Sequence, residues 1–149
     1  MTLPKVRDVV PHSGRMILLD RVVAADGESL TAEVTIRADA LFAGAQGVGA
    51  WVGVEYMAQT IAAYAGARAL QRAEKAKIGV LVGTRRYSCN VPYFPLGATL
   101  RIVARREAHS EDHLESFACC ITGDGILADA AVTVFQPDDI RVLTGQGTA

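Results

Sequence analysis

The sequence predicts an α+β fold in which a curved, mostly antiparallel six-stranded sheet wraps around one long central helix. Three observations carry this expectation. Between Asp39 and Arg68 the only charged side chain is Glu55, so the stretch reads as a helix buried nearly all round. Two strand-like runs precede it and four follow, separated by turn signals. One helix covers only part of so wide a sheet, so an edge strand is expected to pair with another copy, giving a dimer.

After a short Pro-containing opening segment, Met16 to Ala25 reads as the first strand and ends at the turn pair Asp26-Gly27. From Ser29 to Arg37, Leu30, Ala32, Val34 and Ile36 alternate with Thr31, Glu33, Thr35 and Arg37, a half-buried strand that forms a hairpin with its predecessor. Gly44 to Gly49 leads into the helix, placed from about Ala50 to Lys75. Val54, Ala58, Ile61, Ala65 and Ala69 recur at helical spacing, and charge appears only at the far end, in Arg68, Arg72, Glu74 and Lys75. The many small residues allow sheet backbone to approach closely.

The second half reads as strand throughout: Ile78 to Cys89, Ala98 to Ala108, Leu114 to Thr122 and Leu127 to Phe135. Pro92 to Gly97 separates the first pair, and hairpin loops at Ser110 to His113 and Gly123 to Gly125 separate the others. From Gln136 onward the chain turns polar. A single domain over 1–149 with a flexible tail at 138–149 is expected.

Composition removes several functional classes. Half of the 149 residues are hydrophobic and the formal net charge is -1, so a sizeable core is affordable but general nucleic-acid binding has no broad basic field behind it. Ala40 to Ala67 is long enough to span a membrane, but its Ala and Gly content and its Gln46, Glu55 and Gln59 favour a soluble core helix. Cys89, Cys119 and Cys120 cannot all pair within one chain. With no secretory signal pattern at the N-terminus, the expectation is a reduced, cytoplasmic protein. Gly44 to Gly49 matches no nucleotide fingerprint and Cys119-Cys120 has no second pair for zinc, so neither a cofactor nor a metal is expected.

Glu55 is the first candidate for chemistry, because an ionised carboxylate among apolar neighbours is costly unless it is paired or reaches water. The alternative is a solvated carboxylate favoured by the helix dipole. Trp51 and Gln59 lie one turn before and one turn after it, on the same face. Trp51 either lines a pocket or packs in the core. His12, the only His in the first hundred residues, becomes a second acid/base group if the opening segment folds over the helix start. Otherwise it serves an orienting hydrogen bond or a turn. His109 and His113 flank a polar loop and read as solvated turn residues.

Pro11-His12-Ser-Gly-Arg-Met16-Ile-Leu-Leu-Asp20-Arg-Val, Val54-Glu55-Tyr-Met57-Ala58-Gln59, Leu81-Val-Gly83-Thr-Arg85-Arg86-Tyr87 and Pro95-Leu-Gly97-Ala-Thr-Leu100 occur in that order. Together they resemble the hotdog-fold 3-hydroxyacyl-[acyl-carrier-protein] dehydratases of fatty-acid and polyketide synthesis. Trp51, the Gly-Thr-Arg-Arg-Tyr strand and Phe135-Gln136-Pro137 resemble most the ApeP-like branch, associated with aryl polyene synthesis. The resemblance covers most of the chain. It departs at one place: the family's Gly-His-Phe-Pro motif before the helix is replaced here by Phe42-Ala-Gly44-Ala-Gln46-Gly47, which has no His.

The resemblance implies removal of water from 3-hydroxyacyl thioesters carried on acyl carrier protein, without a cofactor. Such a reaction needs a base for the C2 proton, an acid for the departing hydroxyl, and donors for the carbonyl oxygen. Glu55 and His12 are the expected catalytic residues. The amides of Ala50 and Trp51 at the helix start are the expected oxyanion donors. Gln59, Tyr87 and Arg85 are the expected substrate-binding residues; of the alternating Arg85 and Arg86 only one can face inward, and the outward one suits an acidic carrier or its phosphopantetheine. The missing His leaves two further readings: a weakly active hotdog subunit that pairs with an active dehydratase, or an acyl thioesterase.

Overall fold

The structure, a computed structural model, describes residues 3–73, 80–109 and 113–135. The opening segment makes two 3-10 turns, Val6–Asp8 and Gly14–Met16. Strands β1 (Arg21–Ala25) and β2 (Ser29–Thr35) form an antiparallel hairpin. Its turn is closed by Asp26, whose Oδ1 accepts from the amides of Glu28 and Ser29 at 2.7 and 2.8 Å. Short strands β3 (Ala43–Gly44) and β4 (Gly47–Gly49) follow, and a 3-10 turn at Ala50–Val52 leads into the helix α1, Gly53–Gln71. The remaining strands are β5 (Val80–Cys89), β6 (Tyr93–Phe94), β7 (Thr99–His109), β8 (Leu114–Gly123) and β9 (Ile126–Phe135).

The main sheet has the order β1-β2-β7-β8-β9-β5, and every neighbouring pair is antiparallel. Period-two alternation turns one face of it toward α1. Leu30, Ala32 and Val34 of β2, Leu100, Ile102 and Ala104 of β7, Phe117, Cys119 and Ile121 of β8, and Ala128, Val132 and Val134 of β9 are all buried there. Helix residues Tyr56, Met57, Ile61, Ala63 and Tyr64 fill the other side of the same core. Burial pushes the Cys119 thiol up to about 12; all three cysteines are free.

Small residues set how close the layers come. A Cβ at Gly66 would collide with the carbonyl of Val9, so the opening segment lies directly against α1. Tyr64 donates its hydroxyl to the Gly27 carbonyl at 2.7 Å and accepts from Arg68 at 2.8 Å, fastening the first hairpin to the far end of the helix.

The elements sit where the sequence put them, with three differences. Met16 to Asp20 is not strand: the Leu18 amide bonds a helix side chain, Gln59, and leaves the ladder. The Gly-rich segment and the Pro92 to Gly97 separator are not plain loops but supply a second, three-stranded sheet, β3-β4-β6. Arg85 and Arg86 do not divide between inside and outside. A bulge between Arg85 and Ser88, with Arg86 at φ 56°, leaves both exposed, because the extra residue breaks the alternation. The expected tail at 138–149 and the helix end at Glu74 and Lys75 lie outside the described residues. No described helix is long and apolar enough to cross a membrane.

Candidate active site

The opening segment reaches the helix by a sharp reversal. Gly14 adopts φ 57°, a conformation that glycine takes without steric cost, and the 3-10 turn that it begins brings residues 16 to 18 back along the first turns of α1. Gln59, fully buried, receives them. It accepts from the Leu18 amide at 2.9 Å and donates to the Met16 carbonyl at 2.7 Å.

That docking brings together two residues distant in sequence. His12 Nε2 stands 3.7 Å from Glu55 Oε1, and the two side chains are 26% and 41% exposed, so the pair lies at the protein surface within reach of a ligand. Gln59 Nε2 also donates to Glu55 Oε1 at 3.5 Å. The other ring nitrogen of His12, Nδ1, is buried and has no hydrogen-bond partner among the described residues. Glu55 belongs to the first turn of α1, where the helix dipole favours a carboxylate.

The helix start is held from the opposite side by β5. Tyr87 donates its hydroxyl to the carbonyl of Ala50, which also accepts from the Gly53 amide. A Cβ at Gly53 would collide with that same hydroxyl. Burial holds the Tyr87 phenol well above its usual range, as it does for Tyr56, pushed up to about 12. The expectation for Ala50 needs correction, since its amide donates to the Pro92 carbonyl at 3.0 Å and is not free for an oxyanion. No side chain caps the first turn of α1.

Trp51 is not core. It is 69% exposed and meets Phe42 edge-on, with ring centroids 5.6 Å apart. Phe42 was not singled out from the sequence; only its place in the segment that lacks the family His pointed to it. The second sheet was missed as well, although it anchors Ala50 through Pro92. Arg85 is exposed on β5, opposite Ala131 of β9. His113 is exposed at φ 66°. Among the described residues no group of His, Cys, Asp or Glu could hold a metal ion.

Comparison with known proteins gives this arrangement a context. One solved structure, the dehydratase heterocomplex ApeI:P from Xenorhabdus doucetiae, matches with a TM-score of 0.88 and 25% identity, over 99% of this chain and 100% of that one. The PaaI protein of the E. coli phenylacetic acid degradation operon matches at a TM-score of 0.59 and 14% identity, over 77% and 81%. A hypothetical thioesterase with coenzyme A from Streptococcus pneumoniae TIGR4 matches at 0.58 and 11%, over 78% and 84%. The last two likenesses speak to the fold alone. A search of curated proteins returned no match. The sheet curled around its central helix is thus a hotdog fold, and a family model described as ApeP dehydratase matches residues 4–145: the chain belongs to the ApeP-like family.

Proposed function

We propose that this chain dehydrates 3-hydroxyacyl thioesters carried on acyl carrier protein to 2-enoyl thioesters, in aryl-polyene-type synthesis, as one subunit of a dimeric hotdog assembly. The observation that carries the reading is the approach of His12 to Glu55, 3.7 Å apart, at the start of a helix whose first turn has no side-chain cap. One member of the pair takes the C2 proton. The other protonates the C3 hydroxyl, which leaves as water while the C2–C3 double bond forms. His12 Nδ1 has no hydrogen-bond partner among the described residues, and Nε2, which faces Glu55, is the nitrogen offered for proton exchange.

His12 thereby takes the acid/base place left by the absent Gly-His-Phe-Pro histidine. Beyond Ala50, the amide of Trp51, in the 3-10 turn that leads into α1, supplies the site for charge on the thioester oxygen. Trp51 and Phe42 meet edge-on at the same end of the helix and offer exposed apolar surface to the acyl group. Arg85, exposed on β5, suits an acidic carrier or its phosphopantetheine phosphate.

Partner dependence has its own support. Val54, Ala58, Ala62 and Ala65 form a half-buried apolar stripe along α1, and among the described residues β5 has a sheet neighbour on one side alone. An unpaired edge and an uncovered helix stripe both suit a second hotdog subunit. The related ApeI:P protein is a heterocomplex, so the proposed partner is such a subunit, with a second copy of this chain as the alternative.

The test is mass spectrometry of the purified chain, alone and with its partner subunit, incubated with 3-hydroxyacyl-carrier protein. Loss of water that disappears in Glu55→Gln supports the dehydratase. Release of free acid without loss of water would move the assignment to a thioesterase, and reaction only with the partner, unaffected by Glu55→Gln here, would make this a non-catalytic subunit.

A further inference from the structure

Gln59 is fully buried in the middle of the helix face that carries Glu55. An amide in that position is costly unless its polar atoms are bonded, and a Leu or Met would fill a similar volume without that demand. Its carbonyl oxygen accepts from Leu18, and its nitrogen donates to the Met16 carbonyl and, at 3.5 Å, to Glu55 Oε1. Every one of these partners belongs either to the opening segment or to the candidate pair. With no exposed surface and both polar ends engaged, the side chain offers nothing to a thioester.

We propose that Gln59 is a positioning residue: it clips Met16 and Leu18 to α1 and so sets the distance between His12, just upstream of the Gly14 turn, and Glu55. The same amide turns the Glu55 carboxylate toward the imidazole. This rests on the acid/base reading of His12 and Glu55, and assigns Gln59 to the assembly of that pair instead of to substrate contact. Upstream of His12 the segment is held by Val9 against Gly66; His12 Nδ1 itself is unpartnered among the described residues, so on the downstream side the ring depends on the clip at Met16 and Leu18. Gly14 beside it is free to swing unless the segment beyond is held.

The experiment combines hydrogen–deuterium exchange with steady-state dehydration in Gln59→Met, and in Gln59→Asn, which keeps an amide but is too short to span both partners. Amides 12 to 18 are expected to exchange about tenfold faster or more, while β7 and β8 remain protected. Turnover is expected to fall about tenfold in kcat with KM within about twofold. His12→Ala, costly in the parent, is expected to cost less than about threefold further in the Gln59→Met background, because the two act through one geometry.

Unchanged exchange over 12 to 18 overturns the proposal, as does a rise in KM at constant kcat, which would mark substrate contact. Full multiplicative losses in the double variant overturn it too. If the parent chain does not dehydrate at all, the functional reading fails while the exchange measurement still decides whether Gln59 holds the segment.

Discussion

The two halves of α1 do different work on the same opening segment. In the first half, Glu55 and Gln59 meet His12, Met16 and Leu18 through polar contacts of long sequence separation. From Ile61 onward, Gly66 meets Val9 by close backbone approach, and Ile61 and Tyr64 are buried in the core. The first half orients groups and the second half holds layers together. Helix residues of similar burial should therefore separate cleanly by what their loss affects.

The largest expected effect is chemical. Glu55→Gln is expected to lower dehydration about 10³-fold with little change in Tm, because the carboxylate is 41% exposed and its neighbours stay bonded; calorimetry beside the turnover assay checks both parts. An equal loss of stability would erase the contrast between the halves. Ile61→Ala should do the reverse, costing about 3 kcal/mol in urea unfolding while turnover of the remaining folded protein stays within a fewfold of the parent.

Tyr64→Phe sharpens the comparison on a smaller scale. It removes the hydroxyl bonded to the Gly27 carbonyl and is expected to cost about 1 kcal/mol, again without a change in kcat. A fourth effect, smaller still, lies off the helix as a control. Glu33 on β2 is bonded to Arg101 and Arg21, which hold its carboxyl below the ordinary value of 4.5. Its contribution is therefore fully present above pH 4.5 and is lost as pH falls through the lowered value. Glu33→Gln should flatten that acid limb of the stability profile and leave neutral-pH turnover unchanged.

How much of this was legible depended on the range of the interactions. The alternation in β9 and the neutral stretch around Glu55 are local patterns, and they located the strands and the helix directly. Met16 to Leu19 misled because a run that is apolar throughout looks like strand whether its amides join a ladder or, as at Leu18, a side chain 41 residues away. His12 and Glu55 were each singled out, but only the fold supplies their separation. The Ala50 amide was lost to Pro92, a bond just past the ends of the short strands β4 and β6, whose residues carry no periodicity. The bulge that exposes both Arg85 and Arg86 likewise has no signature in a sequence of alternating type.

The sheet order also sets a timetable. In the main sheet β5 pairs, among the described residues, with β9 alone, so during synthesis the strand that carries Tyr87 emerges well before its partner exists. The first hairpin can close and the helix can form on the ribosome, but Tyr87 cannot be locked over Ala50 until β7, β8 and β9 have followed. The helix start would then be the last part of this half of the molecule to become rigid on a nascent chain. Limited proteolysis of stalled chains, long enough to expose β8 but not β9, should cut within β5 while sparing the first hairpin.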